Sequence, residues 1–368
     1  MSRHRYRLLL AFPCCLSLVV ASVRGDLIPN SLKTSASPDA GPINALITAQ
    51  LQQLGGDDLT AARTARENLI SECESHNGNP QSPEYEAAYA MALDKAIAPL
   101  LGAKSLRVRL NAAVVLGNVA RMTEKTGGSR VLDDAVQIAL GDKETPIAIW
   151  GMKAAKYVVP SLIQAQGNFQ KLEQVIVQSA KSHAGQSPAD SGTVIEEAYG
   201  ALTLEPLRQQ AVPIDAAMAA SVIPELLNLM QWRADQFANN AALPPNPLAE
   251  EAAANFLPVT AFGAISVPGN PPTLNASGKR ALQIMSQLAC VDVRLIANGN
   301  TDADLVSITN RFGSAITAMA DPSQLNQPAL LQSGKTIAGI SASTTAASLN
   351  AACAALTDGL KPMGIVIP

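Results

Sequence analysis

Aromatic residues are scarce in this chain: six Phe, five Tyr and two Trp make up 4 % of its 368 residues. β-Sandwiches and barrels pave their faces with alternating Val, Thr, Tyr and Phe, so this composition points away from them. It also counts against a site that stacks sugar rings. Charge is thin as well, at 15 % of residues and a net −3. A nucleic-acid binder needs a basic surface to displace phosphate counterions, and docking on anionic lipid needs a basic patch. Neither is expected here.

Histidine is scarcer still, with three residues. His76 in "ESHNGNP" and His183 in "KSHAGQSP" both read as solvent-exposed turn residues. Neither has a second His or a Cys at metal-ligand spacing. The chain has no G-x-S-x-G elbow, no P-loop and no G-x-G-x-x-G following a strand. The acidic pairs Asp57-Asp58, Asp133-Asp134, Glu196-Glu197 and Glu250-Glu251 fall near expected helix starts, where negative charge complements the helix dipole. Asp302 and Asp304 offer oxygens without EF-hand spacing. No catalytic residue, metal ligand or cofactor is expected.

What is present begins with the N-terminus. "MSRHRYR" is a basic opening, and Leu8–Ala21 is an apolar run too short for a membrane span. Residues 1–25 therefore read as a secretory signal, and the chain as exported, to a periplasm or the extracellular space. Cleavage after Gly25 removes four Arg and no acid, leaving 23 basic against 30 acidic residues. It also splits the adhesion-like tripeptide Arg24–Asp26. Of five cysteines, Cys73, Cys290 and Cys353 remain, too few for a disulfide framework. Cys290 and Cys353 can pair in an oxidising compartment, but the favoured reading is three buried small hydrophobes.

Alanine is abundant, and helical periodicity runs through most of the chain. Residues 26–41 read as a flexible leader. Helices are expected near 42–54, 58–75, 83–101, 105–124, 130–140, 146–166, 168–183, 192–205 and 215–240. Thr145-Pro146 and Ile223-Pro224 read as start signals. Two Pro-rich stretches flank a short helix near 248–262, which makes 243–275 a joint between a domain at 42–242 and a C-terminal helical region at 276–368. That region is read as helices near 277–297, 303–319 and 334–357. The last is uncharged from Thr336 to Thr357. Its Ser, Thr, Ala and Gly content is too polar for an autonomous span and suits tight packing on a neighbouring helix, with Ile337, Ile340, Leu349, Leu356 and Leu360 as anchors.

"GAKSLRVRLNAAVVLG" (Gly102–Gly117) aligns with "GDKETPIAIWGMKAAK" (Gly141–Lys156) at an offset of 39 residues. Weaker echoes lie at Ala65–Leu69 and Asp190–Leu202. This offset fits a two-helix repeat, whose pairs bury their apolar faces on one another. Val108, Arg109, Ala112, Ala113 and Leu116 carry a resemblance to the HEAT/armadillo class of helical repeats, over about residues 45–205. "LGGDDLTAARTARENL" resembles the opening repeat of exported bacterial proteins of this kind. The second copy departs from the pattern at Ala148 and Gly151-Met152. The resemblance implies an all-α fold, a right-handed α-solenoid of HEAT-like pairs followed by a helical bundle, and a role as a binding scaffold.

One helix face then draws attention. Arg107, Asn111, Asn118 and Arg121 fall on one stripe of the 105–124 helix. Trp150 is the repeat equivalent of Asn111, with Tyr157 beside it, whereas Trp232 reads as an inter-helix plug. Arg, Asn and Trp together suit the capture of carboxylates or peptide backbone. The leading expectation is a non-catalytic exported scaffold that binds a protein or peptide partner through Arg107, Asn111, Asn118, Arg121 and Trp150. Two alternatives stand beside it: an envelope enzyme using carboxylates on an all-helical scaffold, and a structural component that self-associates through its C-terminal helix. No integral span is expected in the mature chain.

Overall fold

A computed structural model describes residues 27–74, 81–185, 188–238, 242 and 244–367. The signal segment, the Arg24–Asp26 tripeptide and His76 lie outside the described residues. The fold is all-α. Its helices are α1 (Asn30–Lys33), α2 (Ala40–Gly55), α3 (Leu59–Ser71), α4 (Pro83–Leu101), α5 (Leu106–Thr123), α6 (Asp133–Leu140), α7 (Thr145–Gln164), α8 (Gln170–His183), α9 (Pro188–Leu202), α10 (Glu205–Gln209), α11 (Ala216–Phe237), α12 (Glu251–Asn255), α13 (Phe262–Ile265), α14 (Ala276–Ala297), α15 (Ala303–Ala320), α16 (Pro328–Ala338) and α17 (Ala346–Leu360). The only strands among the described residues are β1 (Ser266–Val267) and β2 (Thr273–Leu274), a short antiparallel pair in which Ser266 faces Leu274. Among the described residues, no helix is long and apolar enough to cross a membrane.

Side-chain caps set the helix starts. Asp58 accepts from the Thr60 and Ala61 amides at 2.8 and 3.0 Å and opens α3, while Ser82 accepts from the Tyr85 amide and opens α4. Asp215 caps α11 through the Met218 amide at 2.8 Å. Pro224 therefore lies inside α11 and does not start it, whereas Pro146 sits in the first turn of α7, as its sequence context suggested.

From α2 to α9 the helices form two rows. α2 packs on α4, α4 on α6 and α6 on α8, while α3 packs on α5, α5 on α7 and α7 on α9. The closest contacts in the second row join α5, α7 and α9. Small residues make that possible. Ala112, Ala113, Ala120, Ala154, Ala155 and Ala198 are fully buried, with Leu116, Val119 and Val158 filling the space between.

The segment after α11 runs through a 3-10 turn (Pro247–Glu250), α12, a π turn (Phe256–Thr260) and α13. It packs on α9 and α11 on one side and on α14 and α15 on the other. Buried apolar residues form one cluster that extends from Ile28 to Ile365. Residues at the chain's start join it: Ile28 is buried, and Lys33 pairs with Glu72 at 3.0 Å in the interior.

The single helix expected at 334–357 is two helices. α16 begins earlier, at Pro328, and ends at Gly339; α17 begins after Thr345. Between them, the Thr344 hydroxyl accepts from the Ser341 amide at 2.9 Å. Thr345 caps α17 by accepting from the Ser348 amide. The Ser/Thr run offers the backbone local partners that compete with the helix ladder. The expected anchors, Ile337, Ile340, Leu349, Leu356 and Leu360, are all buried. Cys290 of α14 and Cys353 of α17 form a disulfide, with Cα atoms 5.6 Å apart. Only Cys73 is the buried free thiol expected of all three.

α15 and α16 approach closely because each contributes a glycine. A Cβ at Gly313 would lie 2.3 Å from the Ala338 nitrogen, and one at Gly334 would lie 2.8 Å from the Thr317 nitrogen. On an exposed helix, Gly313→Ala would gain about 1 kcal/mol. Here the contact is with backbone, which cannot swing aside, so a net loss of roughly 1–3 kcal/mol is expected in urea denaturation.

Glu173 of α8 is buried, and its Oε1 has no hydrogen-bond partner among the described residues. Burial, reinforced by Glu225, pushes its pKa up to about 9. Between its ordinary value of 4.5 and about 9, the folded chain holds a proton that the unfolded chain has released. Stability must therefore fall as pH rises through that window. Glu173→Gln should flatten this slope, changing little at pH 5 and adding about 4 kcal/mol at pH 8. Parallel pH–stability curves for the two proteins would refute the assignment.

Candidate partner-binding face

The joint between neighbouring helix pairs is built around Arg109. Its Nε donates to Asp142 Oδ2 at 2.7 Å, and its Nη1 donates to the Ala103 and Lys104 carbonyls at 3.0 and 3.1 Å. Asp142 Oδ1 accepts from the Glu144 amide at 2.9 Å, fixing the turn into α7. His183 completes the joint. It is buried, not the exposed turn residue its sequence context suggested. Its Nε2 lies 3.0 Å from the Asp142 carbonyl and its Nδ1 lies 3.1 Å from Thr145 Oγ1. A carbonyl can only accept, so Nε2 carries the proton and Nδ1 is left for the Thr145 hydroxyl.

This joint holds α5 and α7 in register, and their outward residues make a continuous face with α9. The five residues singled out from the sequence fall differently on it. Arg107 donates to the Gly56 carbonyl at 2.5 Å, bridging to the turn before α3. Asn111 accepts from Arg66 of α3 at 2.9 Å. Asn118 donates to the Val114 carbonyl of its own helix at 2.8 Å. These three are already engaged within the chain. Trp150 is half-buried over Gly117, where a Cβ would come within 2.7 Å of the indole, and the Lys153 ammonium lies 4.8 Å from the ring centroid. Arg121 is exposed and makes no hydrogen bond or ion pair among the described residues.

Tyr157 lies at the middle of the face, half-buried. Burial raises its pKa; Lys156 and Arg121 pull it down, and Glu197 and Glu205 push it up. Lys156 pairs with Glu205 at 2.9 Å and Glu197 at 3.5 Å. Burial works against its charge, but the two carboxylates outweigh it and hold its pKa above the ordinary value. Glu196 and Glu197 lie in mid-helix on α9, not at a helix start as the sequence reading placed them. The other three acidic pairs do lie at helix starts.

Beyond Glu205 the face opens into a pocket of about 400 Å³, which sequence reasoning missed. Glu196, Glu205, Arg208, Gln209, Glu251 and Asn255 provide its polar wall, over Leu248 and Ala252. The segment carrying Arg208 is bracketed by two non-glycine residues in the left-handed region, Leu204 and Ala211. Such turns have no dependable sequence signal. On that wall, Glu251 pairs with Arg311 at 3.0 Å.

Behind the wall, Glu250 turns the opposite way. It accepts from Arg233 Nε at 2.5 Å in a fully buried pair. Asp292 is also buried there, and burial together with the Glu250 charge raises its pKa well above the carboxylate range. This cluster lines a cavity of only about 10 Å³, room for one water at most. Asp302 spends its carboxylate capping α15 through the Asp304 and Leu305 amides. The described residues contain no group of three or more His, Cys, Asp or Glu able to hold a metal ion.

The chain matches no family model, and no curated protein matches it.

The two arginines of α5 should separate cleanly. Arg109→Ala breaks a mostly buried pair and should cost about 3 kcal/mol. Arg121→Ala should change stability by less than about 0.5 kcal/mol. Equal losses in urea denaturation would contradict the division between joint and open face.

Proposed function

We propose that this chain is an exported, non-catalytic helical-repeat scaffold that binds a protein or peptide segment along the face formed by α5, α7 and α9. The reading takes α2–α9 as HEAT-like pairs in a right-handed solenoid and the helices from α14 onward as a C-terminal bundle. The observation that carries it is the open strip of Arg121, Trp150 and Lys153 beside Tyr157. Cations without a carboxylate partner, one of them lying over a half-buried indole, are the composition of a binding anchor. Arg109 of the first copy, bonded to Asp142 in the turn that opens the second, supports the repeat reading. The Cys290–Cys353 disulfide supports export, because such bonds persist in oxidising compartments.

The contact set we propose is Arg121, Trp150 and Lys153. Arg107, Asn111 and Asn118 act within the fold, so charge reversal at Arg107 would confound binding with stability. Arg121→Glu with Lys153→Glu is the cleaner variant. Residues 26–368, expressed with a tag in the native host and cross-linked, should capture one stoichiometric protein. The double variant should lose it at least tenfold while keeping its circular dichroism and Tm. Undiminished capture would remove the face from the reading.

One observation favours a second reading. Three carboxylates on the wall of a pocket of about 400 Å³ are what an enzyme on an all-helical scaffold would use.

A further inference from the structure

We infer that the pocket beside α9 and α10 binds a small zwitterion of the amino-acid or short-peptide class. The argument rests on which wall charges remain unpaired. Glu205 is neutralised by Lys156 at 2.9 Å, and Glu251 by Arg311 at 3.0 Å. Glu196 accepts only the Asn246 amide at 3.0 Å and has no cation partner among the described residues. Arg208 is the opposite case: a cation on the wall with no ion pair or hydrogen bond among the described residues, its Nε fully buried. Phe256 lies under its guanidinium, 6.0 Å from ring centroid to carbon, and confines it to the wall.

A partly desolvated guanidinium without a partner favours a carboxylate, which it can grip with two parallel bonds. An unpaired carboxylate favours an ammonium. A simple anion would meet Arg208 but be repelled by Glu196, and a simple cation would meet the reverse. A molecule carrying both charges satisfies both. The termini of a dipeptide are about 7 Å apart, and a pocket of about 400 Å³ accommodates that span. The Gln209 amide already donates to Glu205 at 2.5 Å, which leaves the exposed Asn255 side chain as the wall amide to bond the peptide unit. Leu248 and Ala252 give the pocket a shallow apolar floor, which suits small side chains.

This site is separate from the Arg121–Trp150–Lys153 strip, and its test does not depend on partner capture there. The probe is L-alanyl-L-alanine, titrated into residues 26–368 and followed by calorimetry and amide chemical shifts. Its N-acetylated and C-amidated forms each lack one charge. Saturable binding is expected, with shifts at Gln209, Asn255 and Ala252, and blocking either terminus should weaken it about tenfold or more. Glu196→Gln should remove the penalty for N-acetylation alone, and Arg208→Gln the penalty for C-amidation alone. Because Arg208 is half-buried, both variants are first checked for unchanged Tm, and Glu196→Gln, which alters an exposed side chain, carries the test if Arg208→Gln destabilises. Absence of binding, or equal binding of the blocked forms, would overturn the inference.

Discussion

The Arg109 guanidinium is where the stacked helices are held together. It satisfies two carbonyls of its own turn and a carboxylate of the next, so the turns before α5 and α7 move as one unit. His183 extends the same linkage to the end of α8. A row of Ala and Leu residues would bury its surface in several registers at similar cost, because apolar burial is non-directional. Directional bonds at the joint select one. Ser179, donating to the Leu140 carbonyl at 2.7 Å, adds a further such bond between α8 and α6.

With the register fixed, the outward residues of α5, α7 and α9 are brought into a line, and their roles separate by position along it. Near the α3 end they are consumed by bonds across the layer: Arg66 to Asn111, Arg107 to Gly56. In the middle, Arg121 is exposed beside the half-buried Trp150 and Lys153. At the α10 end, opposite charges pair across helices through Lys156, and the face deepens into the pocket. The charge along the face is therefore uneven, cationic over α5 and α7 and mainly acidic over α9 and α10. A bound segment would be oriented by that difference, since like charges juxtaposed on a surface cost more than opposite ones gain.

How much of this was legible beforehand follows a physical division. Helix existence came through well, because it depends on local periodicity and on caps such as Asp58 and Asp302 within a few residues of what they cap. What failed was non-local. His183 looked like a turn residue, and only the arrival of Asp142 and Thr145 from about forty positions away buries it. Arg107 and Asn111 looked free for the same reason. The break at 339–345 was misread although its Ser/Thr signal is local, because the uncharged composition on either side suggested continuity. The Cys290–Cys353 bond is not legible in the sequence, because an odd cysteine count says nothing about which two lie close.

Glu250 and Glu251 show how far adjacency in sequence can mislead about role. They sit on either side of the junction between a 3-10 turn and α12, and their side chains pair with different helices. Glu250 goes inward to Arg233 on α11, and Glu251 goes outward to Arg311 on α15. Burying the first pair carries a desolvation cost that its Coulomb attraction only partly repays. What it provides is direction: Arg233 also donates to the Pro245 carbonyl, so the Pro-rich segment is tied to α11 at two points. That orientation puts Leu248, Glu251 and Ala252 into the pocket opposite Arg208. The buried pair thus places one wall of the candidate site, and the pocket's shape depends on a charge that never faces it.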